Sequence, residues 1–224
     1  MDAFLDTFLN PVVLAKYAPS ILQGVGVTLI LSLLIVVTGI IFGAALACLR
    51  AYRIKAVSLV IVIFADVMRA LPPLVLILLV YFGLPNIGII LSSFAVLYLI
   101  LALVLAAFAE EIVWAGITAT PKGQWEAARS TGLGFTQTLG WVVLPQALRM
   151  VIPPLTNRAI AITKMTALGM VIGVPDILGQ ATTAQSFSAN ASPLTLAALA
   201  YVAIFLPLVI LSRWVEARFA RPGV

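Results

Sequence analysis

Residues 21–49 read ILQGVGVTLILSLLIVVTGIIFGAALACL, a run without one charged side chain. A bilayer core about 30 Å thick takes about 20 apolar residues as helix, because lipid offers no partner to an open backbone N–H or C=O. The run is long enough to cross, and it sets how the remaining residues are read. The chain of 224 residues is 63% hydrophobic and only 9% charged, with a mean hydropathy of +1.18. A soluble domain carries roughly 25% charged residues. The sequence is therefore that of an all-α integral membrane protein. Its length allows a handful of spans within a single transmembrane domain, residues 1–224, and no separate soluble domain.

Composition removes several kinds of chemistry. There is no His and one Cys, Cys48, inside an apolar run, which speaks against disulfides, zinc sites and Cys/His catalysis. No metal or cofactor is expected in this chain. The first fifteen residues carry Asp2 and Asp6 and no Lys or Arg, unlike a cleavable signal peptide, so span one is expected to act as its own insertion signal. The formal net charge of +5 would suit nucleic acid or anionic lipid. In a membrane protein the placement of the bases says more than their sum, and no nucleic-acid partner is expected.

Five spans are predicted, at about residues 20–49, 56–82, 89–112, 150–172 and 194–212. Span two holds Asp66 and Arg69 and has Pro72 and Pro73 in its middle. The charge-free run from Ala70 to Ala109 is too long for one crossing and is expected to turn at Gly83–Gly88, GLPNIG. Span three is expected to end with Glu110 and Glu111. The segment GVPDILGQATTAQSFSANASP reads as a loop with room for a short helix. No internal repeat is visible, which counts against an inverted-repeat transporter complete in one chain.

The bases orient the spans. Arg50, Arg53 and Lys55 follow span one; Lys122, Arg129 and Arg149 follow span three; Arg213, Arg218 and Arg221 follow span five. Those nine face one side, against Lys16 alone on the other. Excess Lys and Arg mark the cytoplasmic side, so the N-terminus is expected to be periplasmic and the C-terminus cytoplasmic, with the loop at about 119–149 cytoplasmic as well.

That loop carries PKGQWEAARSTGLG, residues 121–134. Lys122, Glu126 and Arg129 fall on one helical face while Trp125 and Ala128 fall on another, which predicts a short amphipathic helix. Gly132 and Gly134 allow the chain to stop and turn, and a second helix from about Phe135 to Arg149 returns it to the membrane. A protruding helix pair of this kind suits docking into a groove of a soluble partner. An ordinary surface helix lying on headgroups is the plainer alternative.

The spacing Glu126-Ala127-Ala128, three residues, Gly132, nine residues, then Val142-x-Leu144-Pro145 resembles the E-A-A-x3-G-x9-(I/V)-x-L-P signature of binding-protein-dependent ABC importer permeases. The resemblance extends through VMRALPPLVLILLVYFGLP, AEEIVWAGITATPKGQWEAARSTGL and LPQALRMVIPPLTNRAIAITKMTALGMVIGVPDIL, and narrows to the polar amino-acid branch, whose members carry His, Glu, Gln, Arg or opines. It implies the type I importer permease (MetI-like) fold, five transmembrane helices with a cytoplasmic coupling helix. It also implies that Gln124, Glu126, Ala127, Ala128, Arg129, Gly132, Leu144 and Pro145 couple to an ATPase. The chain departs from the branch pattern at Glu110, an extra acid, at Trp114, where the branch usually has Arg, at Arg158 and at Met165.

No G-x4-G-K-[ST] sequence occurs, so the chain is not expected to be the ATPase or an enzyme; ATP-Mg would be bound by the partner. The resemblance implies a bacterial inner-membrane location, a dimer of ABC ATPase subunits, a second permease copy or sister permease, and a periplasmic amino-acid-binding protein. Inside or at the edges of spans stand Asp66, Arg69, Glu110, Glu111, Arg158 and Lys164. Ionisable groups at such depth cost roughly 2.5 to 3.5 kcal/mol on insertion scales and usually face a cavity or a partner. Arg69, just before the Pro72 break, is the first candidate for a substrate carboxylate, with Glu111, Lys164 and Thr166 as further candidates. Alternatively, these charges pair with one another or snorkel. Asp66 and Arg69 are placed to pair at i, i+3, whereas Glu110 and Glu111 point about 100° apart and cannot share one role. An ion-coupled transporter or channel without an ATPase is the alternative function, and a membrane enzyme or assembly factor a more distant one.

Overall fold

A computed structural model describes residues 2–219; Arg221, counted above with the basic tail, lies outside them. The described residues form helices α1 (Asp2–Leu9), α2 (Pro11–Ala51), α3 (Lys55–Ala70), α4 (Pro73–Gly83), α5 (Ser93–Ala119), α6 (Lys122–Ser130), α7 (Phe135–Gln137), α8 (Leu144–Lys164), α9 (Ile177–Ser188) and α10 (Ser192–Phe219). No strand occurs among them. Four helical runs are long and apolar enough to cross a membrane, and a fifth crossing results if α3 and α4 count as one broken span.

The helices end at places other than the expected span limits, for local reasons. Helix α2 starts at Pro11, not near residue 20. Asn10 caps it by accepting from the N–H groups of Val12 and Val13 at 3.1 and 3.2 Å, and Pro11 needs no partner in the first turn. Span two is not one helix. Proline disfavours helical backbone in the residue before it, and Leu71 and Pro72 are both extended, at ψ 136° and 130°. The 16-residue α3 therefore stops, and the 11-residue α4 restarts at Pro73.

Span three does not end at Glu111. Glutamate is a good helix former, and α5 continues to Ala119, where Pro121 interrupts the ladder. The expected second helix of the loop and span four are one run. From Phe135 it passes through α7, a π-helical turn at Thr138–Val143, α8 and a 3₁₀ segment at Met165–Ile172. The wide π turn directly precedes Pro145, which has no N–H to give to a regular ladder. The turn at Gly83–Gly88 is as expected: a 3₁₀ segment at Leu84–Ile87 closes on Gly88 at φ 81°. The small polar loop does contain a helix, α9, and Arg213 and Arg218 lie in α10 and not in a tail.

The described residues divide into two compact units, one drawn from 2–35, 72–101 and 160–209, the other from 36–71, 102–159 and 210–219. The first packs Ile21, Ile177, Ala181 and Ala197 together. Asp176, fully buried, caps α9 by accepting from the Gly179 N–H at 2.8 Å and receives the Tyr201 hydroxyl at 3.1 Å. A Cβ on Gly24 would meet the Asp176 carbonyl oxygen at 2.7 Å, so α2 crosses the start of α9 at backbone distance. The second unit is built on Ala47, Ala109, Val113, Ile117, Leu139, Val143, Ala147 and Val151.

Candidate coupling site and intramembrane charges

Helix α6 carries the E-A-A residues, and its two faces divide as its sequence pattern requires. Ala128 is buried and Trp125 half-buried against the core of the second unit, while Gln124, Glu126, Ala127 and Arg129 are exposed. The Trp125 ring stacks on Phe135 at 5.5 Å, and Phe135 in turn meets Tyr52 at 5.0 Å. The Tyr52 hydroxyl and Thr136 Oγ1 are 3.0 Å apart.

The two limbs of the loop are also joined by side-chain amides: Gln146 donates to Gln124 Oε1 at 3.2 Å and to the Val142 carbonyl at 2.7 Å. Helix α6 ends where Thr131 and Gly132 return their N–H groups to Ala128 and Arg129. Gly132 then takes φ 89°, a conformation that side chains with a Cβ resist. Leu144 packs on the core and Pro145 is exposed. Between α6 and the end of α2 lies a hollow of about 440 Å³ lined by Arg53, Trp114, Lys122, Trp125, Glu126 and Arg129. Three bases against one acid make its rim cationic.

Helix α6 thus turns a short polar face outward while Trp125 on its other side packs against the cluster built from α5, the π turn and α8, and α5 leads into α6 through Thr120 and Pro121. The eight residues that the resemblance implicates thus stand on one hairpin and its returning limb, with only Ala128 buried and Leu144 half-buried.

Of the intramembrane charges of the second unit, Asp66, Arg69, Glu110 and Glu111 are in ion pairs. Arg69 Nη2 meets Asp66 Oδ1 at 2.7 Å and Arg69 Nη1 meets Glu111 Oε2 at 2.5 Å. Glu110, one residue away on α5, is fully buried and meets Arg50 Nη1 through Oε1 at 3.0 Å. The expected i, i+3 pair and the divergence of the two glutamates are both present. Arg158 lies over the Phe108 ring at 3.9 Å. Arg50, read from the sequence as a loop residue, belongs to the end of α2 and supplies Glu110 with its partner; nothing in sequence spacing marks that pairing.

In the first unit Lys164 is exposed, its Nζ 5.7 Å from the Phe205 centroid beside an apolar hollow of about 530 Å³. Thr166 is fully buried, and its hydroxyl donates to the Thr163 carbonyl at 2.9 Å. Among the described residues no group of His, Cys, Asp and Glu could hold a metal ion.

Residues 35–221 match the family of binding-protein-dependent transport system inner membrane components, and the chain belongs to that family. It is a multi-pass membrane protein, the permease subunit of an ABC importer. It is 36% identical over 200 residues to the probable glutamine ABC transporter permease protein GlnP of Bacillus subtilis (strain 168), covering 88% of this chain and 92% of that protein. A chain in the crystal structure of an amino acid ABC transporter with histidines superposes with a TM-score of 0.83 at 34% identity, covering 92% of this chain and 96% of that one. The MetNI methionine ABC transporter in an inward-facing conformation shares the fold, with a TM-score of 0.73 at 20% identity over 90% and 97% of the two chains.

Proposed function

We propose that this permease passes a polar amino acid inward across the bacterial inner membrane, driven by ATP hydrolysis in a separate ATPase subunit. The observation that carries the reading is α6. Its exposed residues are polar, its other face is packed on the ends of the long helices, and its end is fixed by the Gly132 turn. Two ATPase subunits would each seat one such helix, from this chain and from a second copy or sister permease. Closure of the ATPases would draw the helices together and tilt the spans, opening the pathway outward; hydrolysis would reverse it. The nine-to-one excess of bases supports a cytoplasmic α6 and C-terminus and a periplasmic N-terminus, where a binding protein would deliver the cargo.

Relatives named for glutamine and for amino acids support an amino-acid cargo. Arg69 stays partly exposed with Asp66 and Glu111 around it. The triad therefore offers both signs, as a free amino acid's carboxylate and ammonium require, and Lys164 and Thr166 are the further candidate contacts. The test is uptake of labelled amino acids by vesicles holding the permease and its ATPase. ATP-dependent uptake is expected, and Gly132→Asp should reduce it by about ten-fold or more, since a Cβ at φ 89° costs roughly 1–2 kcal/mol and displaces α6. Uptake without ATPase or ATP would instead identify a carrier or channel acting alone.

A further inference from the structure

Glu110 stands on α5, outside the α6 hairpin, and is fully buried. Its surroundings are nevertheless specific. Along α2, Gly39, Gly43 and Ala47 recur at every fourth position. A Cβ on Gly39 would lie 2.9 Å from Leu105 Cβ, and one on Gly43 would lie 2.4 Å from the Ala106 carbonyl oxygen and 2.6 Å from Ala109 Cβ; Ala47 is fully buried. Helices α2 and α5 therefore touch at backbone distance. Small residues permit that approach, but a smooth seam of glycine and alanine offers little resistance to sliding along the axis.

The ion pair stands at the end of this seam. Arg50 Nη1 donates to Glu110 Oε1, and the same guanidinium lies 4.7 Å from the Trp114 ring centroid. Glu110 and Trp114 are i and i+4 on α5 and hold Arg50 from two sides. Trp114 packs on the core cluster that also carries Trp125 of α6.

A buried ion pair is a weak device for stability, because desolvation offsets most of the attraction. Here it is only half satisfied, since Glu110 Oε2 has no hydrogen-bond partner among the described residues. What such a pair does supply is direction: a charge-assisted hydrogen bond fixes distance and angle together. We propose that Glu110 and Arg50 are positioning residues that lock the register of α5 against α2. With the lock in place, displacement of α6 moves both helices, and without it α5 slips along α2. This rests on the ATP-driven reading above.

The test measures uptake and ATP hydrolysis side by side in vesicles holding the complete complex. Wild-type uptake that does not follow hydrolysis would defeat the ATP-driven reading before any variant is compared. Glu110→Gln keeps the shape and removes the charge; Arg50→Lys keeps the charge and removes the planar group on Trp114. Both variants are expected to assemble and to hydrolyse ATP within about two-fold of wild type. Cargo moved per ATP should fall by about five-fold or more, the lower end of coupling between sites. The double variant should be no worse than the worse single one, as for two halves of one contact. A wild-type ratio in either assembled variant overturns the proposal, even if its Tm falls. Failure of both to assemble also overturns it, by assigning the pair to folding.

Discussion

The α6 hairpin and the α2–α5 seam hold helices together by opposite means. In the hairpin, half-buried rings and two glutamines span a gap, a hollow of about 440 Å³ remains beside the helix, and a Cβ added at Gly123 or Gly132 would meet nothing within 4 Å. In the seam there is no room for a side chain: a Cβ on Gly43 would strike the Ala106 carbonyl oxygen, Ala109 Cβ and the Glu110 backbone nitrogen, all within 2.9 Å. In the proposed function the hairpin docks to a partner, and loosely packed rings can shift with it. In the seam, close-packed backbone fixes how far apart the two helices stand, while their position along the axis is left to other contacts such as the Arg50–Glu110 pair.

That contrast can be broken at its tighter end first. Gly43→Val should drive α2 and α5 apart, destabilising the protein by about 3 kcal/mol or more; thermal unfolding in detergent would register it as a large fall in Tm and in yield. Trp125→Ala acts at the looser end. Losing the stack on Phe135 and a half-buried indole should cost about 2 kcal/mol, leaving a folded protein whose ATP-driven uptake drops more than its Tm. Gly123→Ala sharpens the comparison from below. Its Cβ points into open space on an exposed helix, so Tm should stay level or rise by the equivalent of about 0.5–1 kcal/mol. A fall as large as that for Gly43→Val would show the hairpin to be as tightly packed as the seam.

The hairpin was legible in the sequence because its determinants are local. Trp125 and Ala128 alternate with Lys122, Glu126 and Arg129 at helical spacing, and Gly132 stands where the turn must be. The Gly83–Gly88 turn and α9 were readable in the same way. Helix ends were less so, because caps and prolines set them and hydropathy does not register either. Asn10 and Pro11 are an N-terminal signal within apolar sequence, and Pro121 is a stronger stop than the charges of Glu110 and Glu111. Leu71–Pro72 showed where the helix would fail, but not that α3 and α4 would be separate pieces.

That the chain spans a membrane, where the short amphipathic helix α6 lies and which family the chain resembles could all be read from the residues alone. Each of these depends on period, composition or spacing within a short stretch. Only the tertiary structure decided the fate of the charges. Glu110 and Glu111 are adjacent and chemically alike, yet the turn of about 100° between them sends one into full burial beside Arg50 of α2 and the other to Arg69 of α3. Those partners lie 60 and 42 residues away along the chain. The first meeting is allowed by how closely the glycines of α2 approach α5, and both depend on which helices pack together, which no pattern within a short stretch encodes.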